Sequence, residues 1–324
     1  MERFEYIAKR CVKAVFLIVL IALLNFLLIR MAPGDPAFVI AGESGSVDPL
    51  FMAQLRAEFK LDQPLWAQLW AYLKDVLQFD LGYSYRNKAE VIDLILARLP
   101  ATLLLTGTGF LLAIVGGVLL GAVAARTVGR WQDSTIGLIC MTIYAMPLYW
   151  VGLALVLIFA GWLEWLPAFG IGSVQPLEGW DFVWDRITYL TLPALTLALH
   201  YIAVYARLTR SSMLEVQNQD FVKLARAKGL PPLRITTAHV LRNSLLPIVT
   251  FAGIQAGNLI GGSILVETVF AWPGIGRLAL DSLLVRDYNT LLGVFFLCSV
   301  MTIVFNLIAD VVYSIIDPRI DIQK

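Results

Sequence analysis

Two sets of polar residues stand out in an otherwise apolar chain. The first is the segment Asp220-Phe-Val-Lys-Leu-Ala-Arg-Ala-Lys-Gly-Leu-Pro-Pro232. Asp220 suits the cap of a helix and Gly229 the left-handed residue that closes one, and Pro231 and Pro232 forbid continuation. Lys223, Arg226 and Lys228 ring a body made small by Ala225 and Ala227. Such a helix fits the groove of a partner; a solvated basic loop that only fixes topology is the other reading. The second set is Gln255 and Asn258, one turn apart in an apolar run, with Glu267 just beyond it. Polar side chains at membrane depth are costly against lipid, so Gln255 and Asn258 face protein or a watery path. Glu267 suits the amino group of a passing solute or an outer gate, and equally an ordinary interfacial carboxylate that is hydrated or paired. Asn306 and Asp310 form a weaker pair of the same kind. On another face of the Gln255 helix, Gly253, Gly257 and Gly261 recur every four residues, which lets a neighbouring helix approach closely.

Other chemistries find no support. No lysine has the glycine before it and the Ser/Thr after it that a phosphate-cradling loop requires, and there is no nucleophile elbow or HExxH helix. His200 and His239 are too few and too far apart for a metal site. Cys11, Cys140 and Cys298 are odd in number, irregular in spacing and set in or beside apolar runs, so they read as buried structural thiols rather than a disulfide framework. No basic tail or stripe suits nucleic acid. The chain is expected to carry no catalytic residue, cofactor or metal.

The elements that hold these residues are membrane helices. The 324 residues are 59% hydrophobic and 15% charged, against about 25% charged in soluble domains. Six apolar runs have the length of a bilayer crossing: Val12–Ile29, Thr102–Ala125, Ser134–Gly161, Ile187–Ala206, Ser244–Val266 and Leu291–Ile316. The first follows Lys9, Arg10 and Lys13 but is long for a signal peptide and lacks an A-x-A site, which makes it an uncleaved anchor. Placing the N-terminus inside puts fifteen basic residues in the inner segments, against Arg186, Arg277 and Arg286 in the short outer loops. The expected fold is therefore an all-α membrane protein of six spans with both termini cytoplasmic. Its parts are an anchor (1–29), an extracytoplasmic helical loop (30–100), a five-helix core (101–316) containing the inner loop 207–243, and a tail (317–324). Within the outer loop, Asp48-Pro49 starts a helix running to about Lys60, and Asp62-Gln63-Pro64 starts another. In the second, Trp66 and Trp70 share a face, as in a helix on the membrane surface or one packed within the loop. After Pro232 a second short inner helix runs from Leu233 to Arg242.

An ordered set of short motifs then carries a resemblance. It runs through Pro33-Gly-Asp-Pro36, Leu61-Asp-Gln-Pro-Leu65, Asp80-Leu-Gly-Tyr-Ser84, Ala225-Arg-Ala-Lys-Gly229 and Leu241-Arg-Asn243. It ends with Gly261-Gly-Ser263, Glu267 with Phe270, Pro273-Gly-Ile-Gly276, Arg286-Asp-Tyr288 and Asp317-Pro318. Over nearly its whole length the chain resembles the permease subunits of ABC importers, in the dipeptide/oligopeptide/nickel branch. Residues 220–229 resemble the EAA loop. Lys223-Leu-Ala225 stands where the general pattern has Glu-Ala-Ala, and Arg242 stands where it has a proline; both departures are usual for this branch.

The resemblance implies a bacterial inner-membrane protein that works with a second homologous permease, two ATPase subunits and an external substrate-binding protein. ATP and magnesium are held by the partners. Asp220–Gly229, with Arg242, is the implied ATPase-coupling loop, and short peptides are the implied cargo. Nickel, an opine, glutathione or another small solute would use the same architecture. An ion-coupled secondary carrier fits less well, since only Asp310 reads as an embedded acid and no internal repeat is visible.

Overall fold

The computed structural model describes residues 2–31 and 63–316; for 2–9, 29–31, 257–262 and 310–316 it describes the backbone alone. The expected helix from Asp48 to Lys60, the Asp62 start signal and the tail lie outside the described residues. The described residues are helical almost throughout. Its helices are α1 (Glu2–Met31), α2 (Leu65–Leu77), α3 (Val91–Arg126), α4 (Trp131–Ala145), α5 (Leu148–Leu155, continued by the π-helical Val156–Trp162) and α6 (Gly179–Gln217). There follow α7 (Asp220–Ala227), a turn at Pro232–Arg234, a π-helical stretch Ile235–Leu241, α8 (Arg242–Gly262), α9 (Ile264–Val269), α10 (Ile275–Leu284) and α11 (Tyr288–Ile316). One small departure from an all-α chain is an antiparallel hairpin, β1 (Tyr83–Ser84) with β2 (Ala89–Glu90).

Among the described residues, four helical segments are long and apolar enough to cross a membrane: Arg10–Leu28, Val91–Arg126, Gly179–Gln217 and Tyr288–Ala309. The expected third span is broken. α4 and the α5 segment meet at an angle of 107°, because Pro147 has no amide to donate and pushes Met146 into the extended region, φ −80° and ψ 139°. The expected fifth span ends early too: a turn at Ser263 separates α8 from α9. The expected short helix from Leu233 to Arg242 is not separate from this span, since its backbone runs through the π-helical stretch into α8 without leaving the helical region.

The chain divides into two compact units, residues 1–100 with 274–324, and residues 101–273. In the first, α1 packs on α11, and Asn25 donates to the Leu292 carbonyl at 3.3 Å. α2 lies against both through Tyr72, Leu73 and Val76, which meet Ile18, Ala22, Phe296 and Val300. Trp66 and Trp70 remain 75% and 72% exposed. Two of the short sequence motifs, Asp80-Leu-Gly-Tyr-Ser84 and Arg286-Asp-Tyr288, meet in this unit. The buried Asp287 carboxylate accepts from Ser84 Oγ at 2.6 Å and Thr290 Oγ1 at 2.7 Å, while Asn289 donates to the Tyr83 carbonyl at 3.1 Å. The hairpin exists to make that junction, because two strand residues a side do not hold together unaided.

In the second unit α3 and α6 lie almost backbone to backbone. A Cβ on Gly117 would stand 2.3 Å from Tyr205 Cβ, and one on Gly121 would stand 2.5 Å from the Ala206 carbonyl oxygen. With Gly109 and the buried Ala113 these residues repeat every four positions, the small-residue seam that membrane helices use to approach. Tyr205 then meets Phe110 and Phe251 edge-on, tying α3, α6 and α8 together.

Candidate functional site

The basic segment forms the expected short helix, α7. Its start differs from expectation. Gln219 occupies the cap position and no side chain caps the helix; Asp220 is already in the first turn and pairs with Lys223 at 2.8 Å. A carboxylate there still complements the positive end of the helix dipole. The far end is as expected. Gly229 has φ +73°, and the Leu230 amide reaches back to the Ala225 carbonyl at 3.3 Å, closing the helix before Pro231.

The two faces of α7 do different work. Val222 and Ala225 are buried in one apolar cluster with Ala125 of α3, Met213 and Val216 of α6, and Ile235 and Val240 of the π-helical stretch. Ala225 therefore seats the helix on its own chain and is not on a docking face. Lys223, Arg226, Ala227, Lys228 and Gly229 are exposed, as is Arg242. So are two apolar side chains passed over in the sequence, Phe221 at 39% and Leu224 at 55%. Their signal was there to read: apolar residues three apart, out of phase with Val222 and Ala225. Ser212 Oγ donates to the Ser244 carbonyl at 3.1 Å and Ser244 Oγ to the Val240 carbonyl at 2.8 Å, fixing the base of this loop to α6.

The membrane-depth residues divide differently. Gln255 and Gly253 are half-buried on α8. Gly257, Asn258 and Gly261 belong to the same helix, but their surroundings lie outside the described residues, as do those of Asp310. Asn306 is exposed on α11. Glu267 is not brought to an open surface. It is completely buried on α9, where Oε1 accepts from Thr102 Oγ1 at 2.8 Å and Ser263 Oγ at 2.9 Å. A hydrated interfacial carboxylate does not describe it. The Glu267 carbonyl takes the Trp272 amide at 2.8 Å, and Trp272 Nε1 donates to the Ala101 carbonyl at 2.8 Å from a fully buried position. Glu267 and Trp272 thus pin the turn after α9 onto the start of the residue 101–273 unit. Among the described residues no group of three His, Cys, Asp or Glu side chains is placed to hold a metal ion.

Comparison with known proteins identifies the family. Residues 117–322 match the family model described as the binding-protein-dependent transport system inner membrane component, and residues 1–106 match the model of its N-terminal region. The dipeptide transport system permease protein DppB of Escherichia coli strain K12 is 36% identical, with 99% of each chain covered. The di/tripeptide transport system permease protein DppB of Pseudomonas aeruginosa strain UCBPP-PA14 is 37% identical, covering 94% of this chain and 95% of that one. The glutathione transport system permease protein GsiC of Escherichia coli strain K12 is 38% identical over 98% of each. Among solved structures, an inward-facing form of the MetNI methionine ABC transporter shares the fold, with a TM-score of 0.56 at 18% identity over 69% of this chain and 96% of that one. The chain belongs to the family of inner-membrane components of binding-protein-dependent transport systems, as a multi-pass permease subunit.

Proposed function

We propose that this chain is one of two homologous permeases in an ATP-driven importer of short peptides, with ATP and magnesium bound by two separate ATPase subunits. The observation that carries the proposal is the two-faced α7. Its inward face is anchored by Val222 and Ala225, and its outward face offers Phe221 and Leu224 among Lys223, Arg226 and Lys228. A helix held on one side and open on the other moves as a rigid body with whatever grips the open side. ATP-driven closure of the ATPases would thereby rock the spans between outward- and inward-open states. Cargo arrives from an external binding protein. Six spans with both termini in the cytoplasm suit the distribution of basic residues. Peptide cargo follows the names of the full-length relatives, and the glutathione relative supports a second cargo of closely related chemistry. Gln255 and Asn258 are assigned to the path. Glu267 is assigned to holding the turn after α9, away from cargo in this conformation.

The test is uptake of a labelled dipeptide by proteoliposomes holding the assembled complex and its binding protein. Uptake that needs ATP and survives a protonophore supports the reading. Uptake that proceeds without ATP and collapses with the protonophore replaces it with a secondary carrier.

A further inference from the structure

The groove between α4 and α6 carries chemistry that none of the assigned residues uses. One face of α6 presents His200, Ala203, Arg207 and Arg210, at steps of three and four residues. The facing side of α4 presents Asp133, Gly137, Cys140 and Tyr144. Asp133, Gly137 and Cys140 line a cleft of about 350 Å³ with Ala203, Arg207 and Arg210, inside the range of roughly 300–1,000 Å³ that small-molecule sites occupy.

The charges in the cleft do not cancel. Arg210 is taken up by a two-point pair with Asp133, Nε to Oδ1 at 2.7 Å and the second nitrogen to Oδ2 at 2.8 Å. Arg207, one turn away, is exposed and is not ion-paired to any described residue. Farther along the groove the His200 ring stacks on Tyr144 with centroids 5.4 Å apart, and its Nδ1 is buried with no hydrogen-bond partner among the described residues. Immediately beyond Tyr144, α4 stops at the Met146-Pro147 break and presents its negative dipole end. The ends of broken helices are one means by which membrane transporters hold charged cargo. One end of the groove thus suits an anion and the other a cation. His200 and Arg207 are seven residues apart, about 10 Å of helix. An extended peptide of two or three residues has that length, at roughly 3.5 Å per residue.

We propose that the α4–α6 groove is a cargo subsite of the importer, in which Arg207 binds the carboxylate of a short zwitterionic peptide and the Tyr144–His200 end receives its ammonium group. The inference rests on the importer reading above and adds the recognition chemistry. An arginine facing a cleft also attracts lipid phosphate, and the experiment separates the two anions.

Cys140 is a reporter already in place, since its thiol is free and lines the cleft beside Arg207. In the full complex carrying Cys11→Ser and Cys298→Ala, Cys140 is expected to react faster with an anionic methanethiosulfonate reagent than with a cationic one. Alanyl-alanine is expected to slow that reaction, and Arg207→Gln to abolish both the charge preference and the protection. In parallel, Arg207→Gln should lower ATP-driven alanyl-alanine uptake about tenfold, the effect of losing one charge-assisted contact, while Arg207→Lys recovers most of it. If Arg207→Gln does not assemble, the charge preference and dipeptide protection of Cys140 with Arg207 intact decide the matter. Absence of both overturns the proposal. So does full uptake by Arg207→Gln, or a defect confined to phosphatidylglycerol-containing bilayers and absent from phosphatidylcholine, which assigns Arg207 to a lipid phosphate. ATP-driven uptake by the unaltered complex is read separately, so a failed importer reading is not mistaken for a failed subsite.

Discussion

The turn after α9 and the helix α7 are fastened to the same unit by opposite means. At the turn, polar groups are taken inside and satisfied: the Glu267 carboxylate holds Thr102 and Ser263, and the Trp272 indole holds the Ala101 carbonyl. At α7 the fastening is apolar, through Val222 and Ala225, and every charged side chain stays in water. Buried hydrogen bonds are directional and costly to leave unmade, so they fix one geometry. Apolar contact holds a helix down without committing its other face. The contrast separates a joint that sets the shape of the unit from a handle left free for a partner.

The harshest way to break the contrast is at the joint. Trp272→Ala removes a wholly buried indole together with its hydrogen bond, and large-to-small changes of that kind cost about 3–5 kcal/mol. The expected outcome is a strongly reduced amount of folded chain in the membrane and a lowered melting temperature in detergent; a normal melting curve would show that the turn is not a structural joint. At the handle the two faces should part company. Val222→Asp buries an unpaired charge and should loosen the whole loop, visible as protease cleavage between residues 217 and 243. Phe221→Ala with Leu224→Ala should leave melting and protease resistance unchanged while removing ATPase stimulation. Equal protease sensitivity in both variants would deny that α7 has separate faces. The smallest effect belongs to Lys223→Ala. Its pair with Asp220 is between exposed side chains three residues apart, and pairs of that kind contribute little, so no shift in melting should be measurable.

The parts of this molecule legible in the sequence were those written in strong local signals. Apolar runs of bilayer length gave the positions of the long helices, and Gly229 with Pro231 and Pro232 gave the end of α7. What was misread depended on partners distant in the chain. Ala225 looked like a small outward face because its neighbours Ala125, Met213 and Ile235 lie on three other segments. For Glu267 a solute's amino group, an outer gate and an interfacial position stay open in the sequence, because nothing local announces Thr102, 165 positions away. The close approach at Gly117 and Gly121 is hidden for another reason: small residues recur there every four positions inside a more uniformly apolar run. The break at Pro147 was marked by its own residue type and hidden by the hydropathy of the segments on either side.

The most direct test of the account is affinity purification of the tagged chain from detergent-solubilised membranes, alongside Phe221→Ala with Leu224→Ala, followed by identification of what comes with each. The account predicts that the unaltered chain brings a homologous permease and its ATPases, and that the double variant keeps the permease and loses the ATPases. A chain that purifies alone, or a double variant that retains its ATPases in full, would contradict it.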